Sequence, residues 1–372
     1  MGSVRFSELF MLFATFAAGA LAGCAGRPVY DVPGKVVPSI LLPVSQSGII
    51  DGRGRFREIF ENILATLKSS EGQWTDGATL WMLPGEPSPT GKTAPTGPSS
   101  GSFRVLIVPG LFAECVADVT RVFVDAREQV ERIGYKTDYI QTRGRKESDH
   151  NADLIRDAAM DMPVGERFIF VTHSKGTVDT LEALVKYPSL AERTAAVISF
   201  SGAVNGSPLA DELPQFLIKL GHELPMSNCP PGEGVEAVDS LRRSVRLAWL
   251  STHPLPKSVR YYSLAAFTSR ANISRMLRPF YDLLSRTDPV NDGMVLCSDA
   301  IIPGSVLLGY PNADHFAVAM PIDRETSPLF AAAIDKDDYP RAALLVAALR
   351  FVEEDLRENA PAAASQPPSA QR

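Results

Sequence analysis

From residue 104 onward, short unbroken apolar runs alternate with stretches of helical period, and that alternation admits few folds. Val105–Val108, Phe168–Thr172 and Ala195–Phe200 are too short for helices and show no polar alternation. They read as strands buried on both faces. Tyr135–Thr142, Val259–Phe267 and Ser305–Tyr310 extend the set. Between them, Val119, Val122, Phe123, Ala126, Val130 and Ile133 mark a helix with Gly134 placed as its C′ cap. Asn151–Met160 is a second helix. Lys175–Tyr187, with Val178, Leu181 and Val185 on one face, is a third. Pro340–Arg357 is the last, Pro340 sitting near N1 where its missing N–H costs nothing. Strands separated by helices call for a mostly parallel sheet with helices on both faces, the α/β class.

The flanks are of other kinds. Phe56, Ile59, Phe60, Ile63, Leu64 and Leu67 form one apolar helix face. Residues 83–102 hold five Pro, four Gly and seven Ser or Thr, a composition expected of a mobile loop. Residues 205–258 interrupt the alternation with Pro, Gly and two amphipathic stripes: Leu213, Phe216, Leu217 and Leu220, then Leu241, Val245, Ala248 and Trp249. Such stripes ordinarily face a core. Residues 358–372 read as a disordered tail. The expected organisation is a tether and lead-in segment over 24–50 and one domain over 51–357, without internal repeats.

Composition removes several function classes. An apolar fraction of 45% with 22% charged residues describes a chain with a sizeable core. A formal charge of −6, without a basic stripe, gives no attraction to nucleic acid. Four cysteines in 372 residues are no disulfide scaffold and lack zinc-site spacing.

Residues 9–22 carry no charge over 14 positions, the length of a signal-peptide apolar region and short of the about 20 needed to span a bilayer. Leu21-Ala22-Gly23-Cys24 resembles the bacterial lipobox. The resemblance implies removal of residues 1–23 and a lipid anchor on Cys24, with Ala25 pointing to the outer membrane. An ordinary secretory signal with an incidental Cys24 is the alternative.

Thr172-His173-Ser174-Lys175-Gly176, between a strand and a helix, resembles the nucleophile elbow G-x-S-x-G of the α/β-hydrolase superfamily. Small residues two before and two after the nucleophile are needed because the tight turn brings them together. Gly176 satisfies the second position and Thr172 departs at the first. A serine that merely caps the helix is the competing reading. Val105–Phe112 places Pro109-Gly110 at a strand end where the superfamily has His-Gly. By resemblance, the backbone N–H groups of Leu111 and Lys175 are the oxyanion donors; a plain Pro-Gly turn is the other reading.

The superfamily orders its triad Ser, acid, His. His150 and His173 precede Ser174, and His222 and His253 lie in the irregular 205–258 stretch. His315, directly after the Val306–Tyr310 strand, is the expected base. Asn291-Asp292-Gly293-Met294-Val295 resembles the Asn-Asp-Gly-Leu-Val segment of bacterial true lipases, which makes Asp292 the acid, with Asp288 as runner-up. Those lipases often bind calcium through an Asp shortly after the histidine, but Phe316-Ala317-Val318-Ala319-Met320 follows here, so no metal and no cofactor is carried over.

The resemblance implies an α/β-hydrolase fold whose cap or lid is residues 205–258, where Gly206-Ser207-Pro208 matches a lipase Gly-Ser-Pro. It also implies a Cys229–Cys297 disulfide, leaving Cys115 a free buried thiol; three free thiols are the alternative. Arg143–Ser148 is a candidate polar substrate contact or a solvated charged loop. The function implied is a serine carboxylic-ester hydrolase, a lipase or esterase, acting on an acyl ester through an acyl-enzyme and anchored to the membrane through Cys24. An acyltransferase, thioesterase or polyester depolymerase with the same triad is the alternative, as is a non-catalytic binding lipoprotein.

Overall fold

In a computed structural model, residues 48–71, 79–212, 235–322 and 328–359 are described. Residues 1–47, including the expected signal and Cys24, lie outside them, as do 213–234 with Cys229 and the tail from 360.

The strands, in chain order, are β1 (Ile50–Asp51), β2 (Leu80–Trp81), β3 (Phe103–Val108), β4 (Lys136–Tyr139), β5 (Arg167–His173), β6 (Thr194–Phe200), β7 (Arg260–Leu264) and β8 (Val306–Pro311). The helices are α1 (Arg53–Glu71), α2 (Arg127–Arg132), α3 (Ser148–Met160), α4 (Lys175–Lys186), α5 (Pro188–Arg193), α6 (Pro208–Glu212), α7 (Val235–Asp239), α8 (Arg243–Thr252), α9 (Arg278–Leu284), α10 (Pro328–Ala333) and α11 (Arg341–Glu358).

Every residue of β6, and all but the first of β5, is buried, which demands a central position with helices on both faces. The sheet runs β1-β8-β7-β6-β5-β3-β4, every neighbouring pair parallel, with β2 antiparallel along the end of β8. The strand period of two divides the core. Val105, Ile107, Ile169, Val171 and Ile198 face α1 and α11 through Phe56, Phe60, Leu345 and Leu349. Leu106, Val108, Phe168, Phe170 and Val197 face α3 and α4 through Ile155, Leu181 and Leu184. The chain leaves β3 for the edge strand β4 and returns past it to β5. The carboxyl ends of β3 and β5 are therefore the switch point, where open α/β sheets place ligands.

Three expectations change. The stripe from Val119 to Ile133 is helical only over α2, because Phe123 adopts φ 54°. A bulky residue in the left-handed region ends any helix. Phe123 is held there by its N–H on the Ala319 carbonyl at 2.7 Å and by an edge contact with Phe200 at 4.6 Å.

Residues 83–102 lie as a pinned strap. Arg55 donates to the carbonyls of Lys92 (2.7 Å) and Thr93 (3.0 Å), Glu58 accepts from Thr90 and Gly91, and Arg350 donates to Gly97. Charged side chains from α1 and α11 thus satisfy a backbone that no helix or strand could use.

Within 205–258, α8 packs Trp249 and Leu250 against the α3–α4 side of the core. Its buried face carries Arg246, 2% exposed, which reaches the Val204 carbonyl and lies 3.8 Å from Glu182. Val245 of the expected stripe points to solvent at 44% exposure. Among the described residues, no helix is long and apolar enough to cross a membrane.

Candidate active site

Ser174 stands between the last residue of β5 and the first of α4, with φ 54° and ψ −128°. A non-glycine residue held there is strained, and such strain persists only where neighbours over-determine it. The neighbours are close. A β-carbon on Gly176 would fall 2.5 Å from the Pro109 carbonyl oxygen, and one on Gly110 would fall 2.8 Å from the Ser174 Cβ. Only glycine lets the β3 loop and the elbow approach this far. Thr172, where the superfamily has Gly, is accommodated by hydrogen bonding: its hydroxyl meets that of Thr177 at 2.8 Å and donates to the Ile198 carbonyl at 3.1 Å.

The three residues expected to form a triad come together. Ser174 Oγ lies 2.9 Å from His315 Nε2, and His315 Nδ1 lies 2.7 Å from Asp292 Oδ2. All three are buried, Ser174 the least so at 9% exposure. A carboxylate oxygen only accepts, so Nδ1 carries the proton opposite Asp292 and Nε2 is left to accept from the serine hydroxyl. Asp292 is itself oriented, its Oδ1 accepting the N–H groups of Met294 (2.9 Å) and Val295 (2.7 Å). Its own carbonyl accepts the His315 N–H at 2.9 Å. Asp288, the runner-up, is turned to the Val290 N–H at 2.9 Å and is not a hydrogen-bond partner of His315.

Asp314 fixes the turn beyond the histidine by accepting the N–H groups of Ser274 (2.8 Å), Phe316 (3.1 Å) and Ala317 (2.8 Å). Burial pushes its carboxyl up while those backbone donors pull it back. Among the described residues, no group of three or more His, Cys, Asp or Glu is arranged to hold a metal ion.

Leu111 and Lys175 flank Ser174 from the β3 loop and the start of α4, and neither N–H meets an acceptor among the described residues. Phe112, next to Leu111, has φ 59° and ψ 11°, a second strained position. The Lys175 side chain is fully buried and donates to Asp179 Oδ1 at 2.6 Å. His173 was excluded as a base by order, yet it is part of the site. It is 2% exposed and its Nε2 lies 2.9 Å from the His315 carbonyl. Its place at the buried end of β5, directly before the serine, was the available signal.

The cysteines correct the expected pairing. Cys297 is free, with Sγ 3.7 Å from the Ala265 carbonyl, so a Cys229–Cys297 bridge is not formed. Cys115 is the disulfide-bonded one, to a partner outside the described residues. The reason is packing: the turn bearing Cys297 carries it into the apolar cluster of Phe267, Leu307 and Tyr310.

A metagenomic carboxyl esterase of known crystal structure is 52% identical to this chain, covering 86% of it and 97% of that protein, with a TM-score of 0.81. The propeptide form of a lipase from Bacillus licheniformis is 21% identical over 68% of this chain and 51% of its own, with a TM-score of 0.50, a likeness of fold. No protein-family model and no curated protein matches the chain. On the 52% identity across nearly the whole of the first of these, the chain belongs to the carboxyl esterases of the α/β-hydrolase family.

Proposed function

We propose that this carboxyl esterase works through an acyl-enzyme on Ser174, anchored to the bacterial envelope by a lipid on Cys24. The observation that carries the mechanism is the continuous hydrogen-bonded line Ser174–His315–Asp292, at 2.9 and 2.7 Å, behind a strained serine. His315 Nε2 takes the Ser174 proton as Oγ attacks the ester carbonyl, and Asp292 holds the Nδ1–H tautomer and stabilises the imidazolium. The carbonyl oxygen, now negative, is met by the N–H groups of Leu111 and Lys175. As the tetrahedral intermediate collapses, the C–O bond to the alcohol breaks and His315 returns its proton to that leaving oxygen. Water then attacks the acyl-enzyme by the same steps, releasing the acid and restoring Ser174.

The substrate class favoured is an ester with an apolar acyl part. Half-buried Leu111 bears one proposed oxyanion donor, and half-buried Met294 and Phe316 stand beside the proposed acid and base. The address rests on the uncharged 9–22 stretch and Leu21-Ala22-Gly23-Cys24.

Two experiments test this. Ser174→Ala and His315→Ala should each abolish hydrolysis of short p-nitrophenyl esters while the protein stays folded; near-wild-type activity in either overturns the mechanism. Cys24→Ser should release the protein from membranes or leave it unprocessed, and unchanged membrane fractionation overturns the anchor.

A further inference from the structure

The charged stretch Arg143–Ser148 is not solvated throughout. Gly144 N–H (2.9 Å) and Arg145 N–H (3.2 Å) donate to the two oxygens of Glu114, on the turn that follows Leu111. The Arg145 guanidinium lies 3.7 Å from the same carboxylate. A β-carbon on Gly144 would stand 2.6 Å from the Phe112 nitrogen and 2.7 Å from the Gly110 carbonyl oxygen. This loop therefore rests directly on the backbone either side of Leu111.

Its other end is held from α3. Asn151 Oδ1 accepts the Arg143 N–H and Asn151 Nδ2 donates to the Arg143 carbonyl, both at 2.9 Å. The same Nδ2 donates to Asp179 Oδ2 at 2.8 Å, and Asp179 Oδ1 accepts from Lys175 Nζ at 2.6 Å. Asn151, Asp179 and Lys175 are at most 1% exposed. The path closes on itself: Lys175 bears one expected oxyanion donor, and the loop it reaches through Asp179, Asn151 and Glu114 supports the segment bearing the other.

We propose that the Lys175 side chain, Asp179, Asn151 and Glu114 are positioning residues that brace the two halves of the oxyanion hole at a fixed separation. Oxyanion donors act only within about 2.7–3.1 Å of the developing charge, so their spacing must be set before substrate arrives. The Lys175 half is fixed by the sheet and α4. The Leu111 half is a loop with Phe112 in the left-handed region, and it needs an external support. A buried ion pair contributes little net stability on its own, which leaves placement as its use beside the nucleophile. The proposal rests on the reading of Leu111 and Lys175 as oxyanion donors.

The test uses the full-length protein with Glu114→Ala and Asn151→Ala. The readouts are kcat and KM on p-nitrophenyl butyrate, the Ki of a trifluoromethyl ketone that adds to a nucleophilic serine as a tetrahedral oxyanion, and thermal melting. Expected is a fall in kcat of about 10- to 100-fold with KM within about threefold. The ketone Ki should rise in step with the loss of kcat/KM. Glu114→Gln, which keeps one acceptor oxygen, should recover part of the rate. Lys186→Ala, which breaks the exposed pairs to Asp149 and Asp153 between the same two helices, should leave kcat unchanged.

Glu114 is 27% exposed, so its variant remains informative if Asn151→Ala fails to fold. A ratio of Ki to KM that stays at the wild-type value in the folded variants overturns the brace, whatever happens to melting. Ser174→Ala assayed alongside separates the two readings. An inactive Ser174→Ala beside Glu114→Ala and Asn151→Ala that keep wild-type kcat and Ki overturns the brace alone, and an active Ser174→Ala overturns the reading beneath it.

Discussion

His173 donates from Nε2 to the backbone carbonyl of His315 at 2.9 Å, so the residue before Ser174 holds the backbone of His315. Their rings stand 4.7 Å apart. Burial, and then the neighbouring His315, drive the His173 pKa well below 6.5, so it is neutral and its donated proton is permanent. No second cation then lies beside the imidazolium that the proposed mechanism forms on His315.

His173→Phe keeps a ring and removes the N–H, leaving a buried carbonyl short of a donor at a cost of about 1–3 kcal/mol. The expected result is a kcat about tenfold lower with KM little changed, since about 1.4 kcal/mol on the barrier is a factor of ten in rate. His173→Gln, which retains an N–H, should recover most of it. Steady-state kinetics on a short ester decide between them.

The same histidine shapes stability against pH. Its folded pKa is depressed, so the folded state binds fewer protons than the unfolded chain below the ordinary value of 6.5. Its contribution is fully present above about pH 6.5 and is lost as pH falls, by up to about 1.4 kcal/mol per unit. Urea unfolding at pH 7 and pH 5.5 should show a smaller loss in His173→Gln than in the wild type. Equal losses would contradict the burial of a neutral ring.

Asp292→Asn should lower kcat by about 10⁴, because the amide presents the wrong partner to His315 Nδ1. Asp288→Asn should change kcat by no more than a few-fold, its carboxylate being engaged with the Val290 N–H. Single-turnover and steady-state rates of both variants check this, and the reverse pattern would exchange their roles.

Cys297 should resist alkylation in the native protein, because burial raises its thiol pKa well above 9 and closes access. Peptide mapping without reduction should recover Cys297 as a free thiol and Cys115 in a cross-linked peptide. A native, rapidly alkylated Cys297 would contradict the packing described.

The strands of the core were legible because runs such as Val105–Val108 of β3 are apolar without interruption, and a short apolar run of that kind calls for burial on both faces. The grouping of three side chains within hydrogen-bonding distance was legible through order and local motif: Ser174 by its turn, His315 by its place after a strand, Asp292 by Asn-Asp-Gly. What composition concealed was long-range. The Pro, Gly and Ser content of 83–102 describes a segment unable to form its own secondary structure, and says nothing of Arg55, Glu58 and Arg350 waiting to hold its backbone. The stripe at Val119–Ile133 reported which residues are buried, Val122, Phe123, Ala126 and Val130 among them, but a period cannot reveal that Phe123 turns left-handed. The cysteine pairing failed for a like reason, since it depends on which thiol the packed turn at Cys297 carries inward.

The most direct measurement is mass spectrometry of the protein after reaction with a fluorophosphonate, which adds to an activated serine and to little else. The account predicts one adduct per chain, mapped to Ser174, formed rapidly in the wild type, absent in Ser174→Ala and strongly slowed in His315→Ala. An adduct on another residue, or equal labelling of Ser174→Ala, would contradict it.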